Sequence, residues 1–288
     1  AWNERGLFVS DGRVLDMAAA DLDEDGAAEL VLLFAGRIEV WGRSGGDEQF
    51  AFRHMQSIPP EELRQPARYA VGSISFCNDG SGRPPALLLT HNRLPGGWVL
   101  QWSGADFAVI SRLEHAPLAC LPSVSGGEAA VISSAYLAGT TAFNGHLYTG
   151  GQGLRREYKL PQNFVSFEAA QTATDLRDIY AVSVNGAVFD GLGGKVLPAG
   201  ACGTQPALAP GPAGENVLAC GAARFGVTED GINISGVSQG IAAVPVGYVP
   251  AATGAVSAIC AAPGEGLRFY VARYDSEKKS SRILLLYP

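Results

Sequence analysis

Short apolar segments alternate with Gly-, Asp- and Ser-rich turns along almost the whole chain. Apolar runs of about four to eight residues that are bounded by turn residues predict β-strands. Helical periodicity is nearly absent, and the one candidate helix is Pro60–Arg68, where Pro60 favours a helical turn and Pro66 ends it. The pattern therefore predicts an all-β protein.

The predicted strands recur in a fixed order: an apolar strand, a polar turn, a strongly apolar strand, a short turn and an amphipathic strand. The first copy covers Val14–Gly42 and continues with Phe50–Ile58, and its segment ELVLL corresponds to ALLLT in the second copy. Six copies begin near Val14, Ala70, Leu118, Val165, Thr204 and Ala255. A spacing of roughly 40–50 residues is typical of a four-stranded propeller blade.

We therefore predict one domain over residues 1–288, a β-propeller with six blades of four antiparallel strands. The last copy supplies Ser281–Pro288 as its third strand, whereas Gly6–Arg13 precedes the first copy and has no blade of its own. We expect this N-terminal strand to be the outer strand of the last blade, which closes the ring and removes a free sheet edge. A pair of β-sandwiches has similar strand spacing and is the alternative.

Composition agrees with a folded β-rich chain, because charged residues are only 17% and glycines number 37. The net charge is −7 and no segment collects Lys and Arg beyond Lys278–Lys279, so we expect no nucleic-acid partner. No apolar run approaches the ~20 residues of a membrane-spanning helix. The chain begins at Ala1 and not at methionine, which indicates a processed or excised chain.

The cysteines show neither CxxC nor metal-type spacing. They are Cys77, Cys120, Cys202, Cys220 and Cys260. Most lie inside apolar segments, which favours buried and inert thiols. A disulfide between Cys202 and Cys220, across adjacent strands, is the alternative.

Residues 21–29, with the sequence DLDEDGAAE, carry the one pattern that indicates chemistry. Carboxylates stand at alternate positions, and Gly26 stands where the backbone must turn sharply. Such a turn aims several hard oxygen ligands at one point, which suits Ca²⁺. The predicted ligands are the side chains of Asp21, Asp23, Asp25 and Glu29 and the carbonyl of Ala27. The loop is not an EF-hand, because Leu32 occupies the position of the bidentate glutamate.

The pattern DxDxDGxxE followed by the apolar strand ELVLL resembles the FG-GAP/VCBS repeat of integrin-α-like propellers and many secreted bacterial proteins. The resemblance implies that the loop links the first two strands of a blade and that these same residues hold the ion. Later copies keep only fragments of the pattern, among them Asp79, Gly82, Asp178 and Glu215. We therefore expect one structural Ca²⁺.

The resemblance also implies a secreted, periplasmic or outer-surface location. It further implies a non-enzymatic interaction module whose partner is another protein or a cell-surface or extracellular component. Gly236–Gly240 matches the GxSxG pattern of hydrolases, but β-branched residues follow it and no histidine comes after Ser238. We therefore expect no catalytic residues.

Two other functions remain open. In a carbohydrate-binding propeller, a sugar would stack on Trp41, Trp98 or Trp102, whereas the alternative role of these residues is packing between blades. A polysaccharide hydrolase or lyase would need convergent acid and base groups, and the sequence offers no such pair.

Overall fold

The computed structural model describes most of the chain in segments separated by short gaps. The described residues are 2–43, 49–59, 70–78, 84–121, 130–137, 140–151, 154–169, 175–203, 206–212, 215–224, 227–238, 241–249, 255–262 and 266–288. The candidate helix Pro60–Arg68 lies outside them.

Within the described segments of the chain, twenty-four strands form six sheets, and every sheet has four antiparallel strands. This is the blade organisation of a six-bladed β-propeller, so the predicted fold class is confirmed. The blades fall into two compact units, Leu15–Asn163 and Ala1–Val14 with Phe164–Pro288. No helix in the described part of the chain has the length and hydrophobicity to cross a membrane.

The unit Leu15–Asn163 contains blades 1 to 3, whose strands follow one another in chain order. Blade 1 consists of β2 (Asp16–Ala20), β3 (Glu29–Leu33), β4 (Arg37–Arg43) and β5 (Phe50–Ser57). Blade 2 consists of β6 (Gly72–Cys77), β7 (Ala86–His91), β8 (Gly97–Trp102) and β9 (Phe107–Leu113). Blade 3 consists of β10 (Ala116–Leu121), β11 (Ala130–Ser134), β12 (His146–Gly151) and β13 (Leu154–Lys159).

The other unit contains blades 4 to 6. Blade 4 consists of β14 (Phe164–Ala169), β15 (Ile179–Ser183), β16 (Val188–Asp190) and β17 (Lys195–Leu197), with a short 3₁₀ helix at Leu176–Asp178. Blade 5 consists of β18 (Ala207–Pro210), β19 (Asn216–Arg224), β20 (Val227–Ser238) and β21 (Ile241–Val249). Blade 6 consists of β22 (Ala255–Ala261), β23 (Phe269–Asp275), β24 (Ser280–Tyr287) and, from the other end of the chain, β1 (Asn3–Asp11).

The second strands of blades 1 and 4 lie between two neighbouring strands and are fully buried. Every residue of β3 and of β15 is buried, which explains why these segments are continuous apolar runs rather than alternating ones. The fourth strand is an edge: β5 and β9 expose large apolar side chains, among them Phe52, Met55 and Ile110. In blades 1 and 4 the second strand therefore forms the buried centre of the sheet.

The N-terminal strand completes blade 6, as the sequence predicted. β1 pairs antiparallel with β24, with Asn3 opposite Tyr287 and Asp11 opposite Ser280. Arg273 on β23 is buried, and its Nη2 lies 2.6 Å from Oε1 of Glu4 on β1. A buried guanidinium requires such a partner, so this ion pair holds the edge strand in its register.

Asp16 connects blade 1 to blade 2 from a buried position on β2. Its Oδ1 accepts a hydrogen bond from the backbone N–H of Met17, and its Oδ2 accepts one from the N–H of Ile74 on β6, both at 2.8 Å. Burial raises the pKa of the Asp16 carboxyl to about 7, although these hydrogen bonds oppose the shift.

A disulfide connects blade 2 to blade 3. Cys77 on β6 is bonded to Cys120 on β10, and the hydroxyl of Ser75 donates to the carbonyl of Leu118 at 2.9 Å between the same two strands. The expectation of inert thiols was wrong for this pair, because the first strands of successive blades lie side by side. Cys202, Cys220 and Cys260 are buried thiols, so the alternative Cys202–Cys220 disulfide is not formed.

We predict that Asp16 makes the stability of the protein fall as pH rises. The folded state keeps a proton on Asp16 up to about pH 7, whereas the unfolded chain releases it near pH 4. Its stabilising contribution is therefore complete below about pH 4 and is lost as pH rises to about 7, by on the order of 4 kcal/mol. Urea unfolding at pH 4.5, 6 and 8 measures this decrease.

The variant Asp16→Asn carries no titrating proton, so its free energy of unfolding should change less over the same pH range. The substitution itself lowers the free energy of unfolding, because the NH₂ group of the amide faces backbone donors. This loss is the same at every pH. Equal pH slopes for the two proteins would contradict the role assigned to Asp16.

We predict that removal of the Cys77–Cys120 disulfide destabilises the protein. The two residues are 43 positions apart, and cross-linking a loop of that length lowers the entropy of the unfolded chain by an amount worth about 4 kcal/mol. Chemical denaturation of Cys77→Ala/Cys120→Ala measures the loss. Cys260→Ala removes a buried thiol that forms no disulfide and serves as the control. A double variant no less stable than this control would contradict the prediction.

Candidate functional site

The acidic loop lies between β2 and β3 of blade 1, the first two strands, as predicted. Its backbone reverses through two residues with positive φ, Glu24 at 60° and Gly26 at 84°. Glycine adopts this conformation without a side-chain clash, which explains why Gly26 stands at the turn. The predicted sharp bend at Gly26 is therefore present.

The loop brings three of the predicted carboxylates together. One oxygen from each of Asp21, Asp23 and Glu29 lies within 4.8 Å of the others. Asp25 lies outside this group, and its Oδ1 accepts a hydrogen bond from the N–H of Ala27 at 2.8 Å. The roles of Asp25 and of the Ala27 carbonyl as ligands stay predictions.

Each of the two innermost carboxylates has one oxygen bound by the backbone and one without a hydrogen bond. Oδ2 of Asp21 accepts from the N–H of Gly26 at 2.9 Å, and Oε2 of Glu29 accepts from the N–H of Leu22 at 2.8 Å. Oδ1 of Asp21 and Oε1 of Glu29 are buried and have no hydrogen-bond partner among the described residues. The backbone thus orients both groups and leaves two oxygens available.

Glu29 is the most buried member of the group, with only 1% of its surface exposed. Burial raises the pKa of its carboxyl, the charge of Asp23 raises it further, and the Leu22 N–H and Arg53 oppose the shift. A buried carboxylate beside other carboxylates calls for a compensating cation.

Arg53 on β5 is the functional residue that the sequence analysis missed. Its Nη1 lies 2.5 Å from Oδ2 of Asp23 and 3.5 Å from Oε1 of Glu29, so its guanidinium supplies positive charge to the acidic group. The hydrogen bond to Asp23 raises the pKa of Arg53. The side chain crosses Gly42, where a Cβ atom would lie only 1.6 Å from Arg53 Nε, so glycine provides the space for this path.

The donor set fits a divalent cation. Three carboxylates converge, two of them carry a buried oxygen without a hydrogen bond, and hard oxygen ligands are those that Ca²⁺ prefers. Asp21, Asp23 and Glu29 are the side chains that would hold the ion. Because such an ion needs the oxygens that Arg53 now faces, the guanidinium and the ion compete for Asp23 and Glu29.

A pocket of about 300 Å³ adjoins the acidic group. It is lined by Asp23, Glu29, Arg53, His54, Trp102, Gly104 and Ala105. The rings of His54 and Trp102 meet edge to face with their centroids 5.7 Å apart. Nε2 of His54 is buried and has no hydrogen-bond partner among the described residues. The pocket therefore combines charged, polar and aromatic groups in a small volume.

The three tryptophans considered for sugar stacking occupy different environments. Trp98 is 5% exposed and belongs to the apolar core of blades 1 and 2, which agrees with a packing role. Trp41 packs edge to face against Phe52 at 5.4 Å, and its Nε1 donates to Glu39 at 3.1 Å. Among the three, Trp102 alone lines this pocket.

Comparisons with known proteins show the fold and no family. No sequence profile of a known family matches the chain, and no curated protein matches it. A luciferin-regenerating enzyme has a similar structure, with 13% identity, a TM-score of 0.55 and coverage of 98% of this chain and 96% of that chain. A chain of the Chaetomium thermophilum Polycomb Repressive Complex 2 bound to GSK126 has 8% identity, a TM-score of 0.51 and 98% coverage of both chains. These similarities support the six-bladed propeller.

We predict that the hydrogen bond from the backbone N–H of Leu22 to Glu29 stabilises the protein even when no metal is bound. In Glu29→Gln the side-chain oxygen still accepts from the N–H of Leu22, whereas in Glu29→Ala this buried donor has no acceptor. In chelator, Glu29→Ala should therefore be less stable than Glu29→Gln by about 1–3 kcal/mol. Urea denaturation of both variants measures the difference, and equal stability would contradict this role of Glu29.

Proposed function

We propose that this protein is a non-enzymatic, calcium-binding β-propeller of the FG-GAP/VCBS type that acts as an interaction module outside the cytoplasm. The observation that carries the proposal is the convergence of Asp21, Asp23 and Glu29 within 4.8 Å, where Oδ1 of Asp21 and Oε1 of Glu29 are buried without a hydrogen bond from any described residue. The loop occupies the place between the first two strands of a blade that the resemblance implies.

The ion has a structural role in this proposal. A cation held by Asp21 and Asp23 in the loop and by Glu29 at the start of β3 ties the turn to the blade. It binds the folded chain and not the unfolded chain, so it stabilises the fold by mass action. The bound ion would supply a rigid loop for contact with a partner.

Two features support a location outside the cytoplasm and a binding role. The Cys77–Cys120 disulfide suits an oxidising compartment. The edge strands β5 and β9 expose Phe52, Met55 and Ile110, which offer apolar surface to another protein. The partner is therefore proposed to be a protein or another component of the cell surface or extracellular space.

Carbohydrate binding is a second candidate, favoured by the position of Trp102 in the pocket beside the acidic group. Saturable signals on an array of immobilised glycans would support it. A hydrolase or lyase is a third candidate, and the fold of the luciferin-regenerating enzyme shows that a protein named as an enzyme has this architecture. Loss of a polysaccharide substrate on incubation with the protein would favour that candidate.

We predict that calcium raises the stability of the protein. At a free Ca²⁺ concentration 100-fold above the dissociation constant the gain is about 2.7 kcal/mol, which corresponds to a rise of roughly 4–5 °C in Tm. EDTA should reverse the rise, and Asp23→Ala/Asp25→Ala should abolish it. Thermal unfolding in Ca²⁺ and in EDTA measures both effects, and isothermal titration gives the stoichiometry, expected to be one ion.

Glu24→Asn is the matched control, because it removes a charge from the same loop at an exposed position outside the carboxylate group, and asparagine accepts the positive φ at this position. This variant should keep the calcium response. Melting curves of the wild-type protein that coincide with and without chelator, after verified removal of metal, would overturn the proposal.

A further inference from the structure

We infer that the pocket beside the acidic loop binds a sugar that carries a carboxylate, a uronate, and that it does so when calcium occupies the loop. The inference rests on the calcium site of the proposed function and names the chemistry of the ligand. Its basis is the arrangement of Arg53, His54 and Trp102 around one pocket of about 300 Å³.

Arg53 belongs to both sites. In the structure its guanidinium is engaged by Asp23 Oδ2 at 2.5 Å and lies 3.5 Å from Glu29 Oε1. A divalent ion bound to these carboxylates takes the same oxygens and repels the guanidinium. Arg53, whose side chain is 34% exposed, then needs a new anionic partner, and the pocket that it lines is the place where it can find one.

The charge of the pocket explains why the ligand should carry a carboxylate. Before the ion binds, Asp23 and Glu29 face the pocket and repel anions, and Arg53 is neutralised by them. The ion adds two positive charges and releases the guanidinium. A planar carboxylate matches the geometry of a guanidinium through two parallel hydrogen bonds, which a sugar hydroxyl cannot form.

The remaining lining groups suit a sugar ring. The pocket volume is at the lower end of the range for small-molecule sites, about 300–1,000 Å³, so it accommodates a small ligand. Trp102 is partly exposed and supplies a flat apolar surface for the C–H face of a pyranose. His54 also lines the pocket, and its buried Nε2 has no hydrogen-bond partner among the described residues.

The two binding events must be coupled in both directions. If calcium increases the affinity for the uronate by releasing Arg53, the uronate increases the affinity for calcium by the same factor. Gly42→Ala tests whether the position of Arg53 couples the two sites, because the added methyl group occupies the space through which the Arg53 side chain reaches the acidic group. This variant displaces the guanidinium and keeps its charge.

The experiment titrates the full chain with methyl α-galacturonoside, at buffered free Ca²⁺ or in EDTA, by isothermal titration and saturation-transfer NMR. Methyl α-galactoside is the matched probe without the carboxylate, and N-acetylglutamate is an acidic probe without the sugar ring. Calcium binding is measured separately with the metal alone. Thermal unfolding verifies that every variant is folded.

We expect saturable binding of the galacturonoside to the calcium-loaded protein, weaker in EDTA by about 5-fold or more. Galactoside and N-acetylglutamate should bind at least about 10-fold more weakly.

Arg53→Gln should lose the galacturonoside and bind calcium more tightly, because a competing cation is gone. Gly42→Ala should bind the galacturonoside with less dependence on calcium. Trp102→Leu should lose the sugar and keep calcium, whereas Trp41→Leu, outside the pocket, should keep both.

Several results would overturn the inference. They are a calcium-loaded protein that does not bind the galacturonoside, equal affinity for the galactoside, and a sugar affinity that Arg53→Gln leaves unchanged. Equal binding of N-acetylglutamate would also overturn it and would indicate an acidic protein partner. If calcium alone does not bind, the proposed function itself fails. If calcium binds and the uronate does not, the proposed function stands and only this inference fails.

Discussion

The burial of the second strand of blade 1 determines the character of the whole site. Every residue of β3 is buried, and Glu29 is the first of them, so its carboxylate is carried into the interior with the strand. A charge in that position needs hydrogen bonds and a cation. The buried carboxylate of Glu29 receives a hydrogen bond from the Leu22 N–H and positive charge from Arg53. The proposed ion would add further positive charge.

Repetition made the fold predictable. The order of strands and turns, repeated at the length of a blade, located all six blades and the pairing of the chain ends, because apolar patterning reports burial directly. The turn at Gly26 was predictable for a similar reason, since glycine marks a conformation that other residues avoid. These features depend on residues that are close in sequence or on a period.

The parts of the site that come from other strands were not predictable in the same way. Arg53 reaches the acidic group from the fourth strand of the blade. Its alignment depends on a register shift between Val40 and Trp41, and no pattern in the sequence predicts that shift. Asp25 belongs to the alternating carboxylates, yet its side chain binds the Ala27 N–H instead of joining the group. The Cys77–Cys120 disulfide was predictable from the sequence. Its separation of 43 residues is close to the repeat length and places both cysteines on first strands of successive blades.

The pairing of β1 with β24 has a consequence for biosynthesis. β1 is translated well before β24, so it has no pairing partner until Ser280–Tyr287 is made, which takes tens of seconds at about 5–20 residues per second. A strand with unpaired backbone groups invites association with other chains during that delay. The segment NERGLFVSD contains Glu4, Arg5, Gly6 and Asp11, and charged residues and glycine disfavour such association.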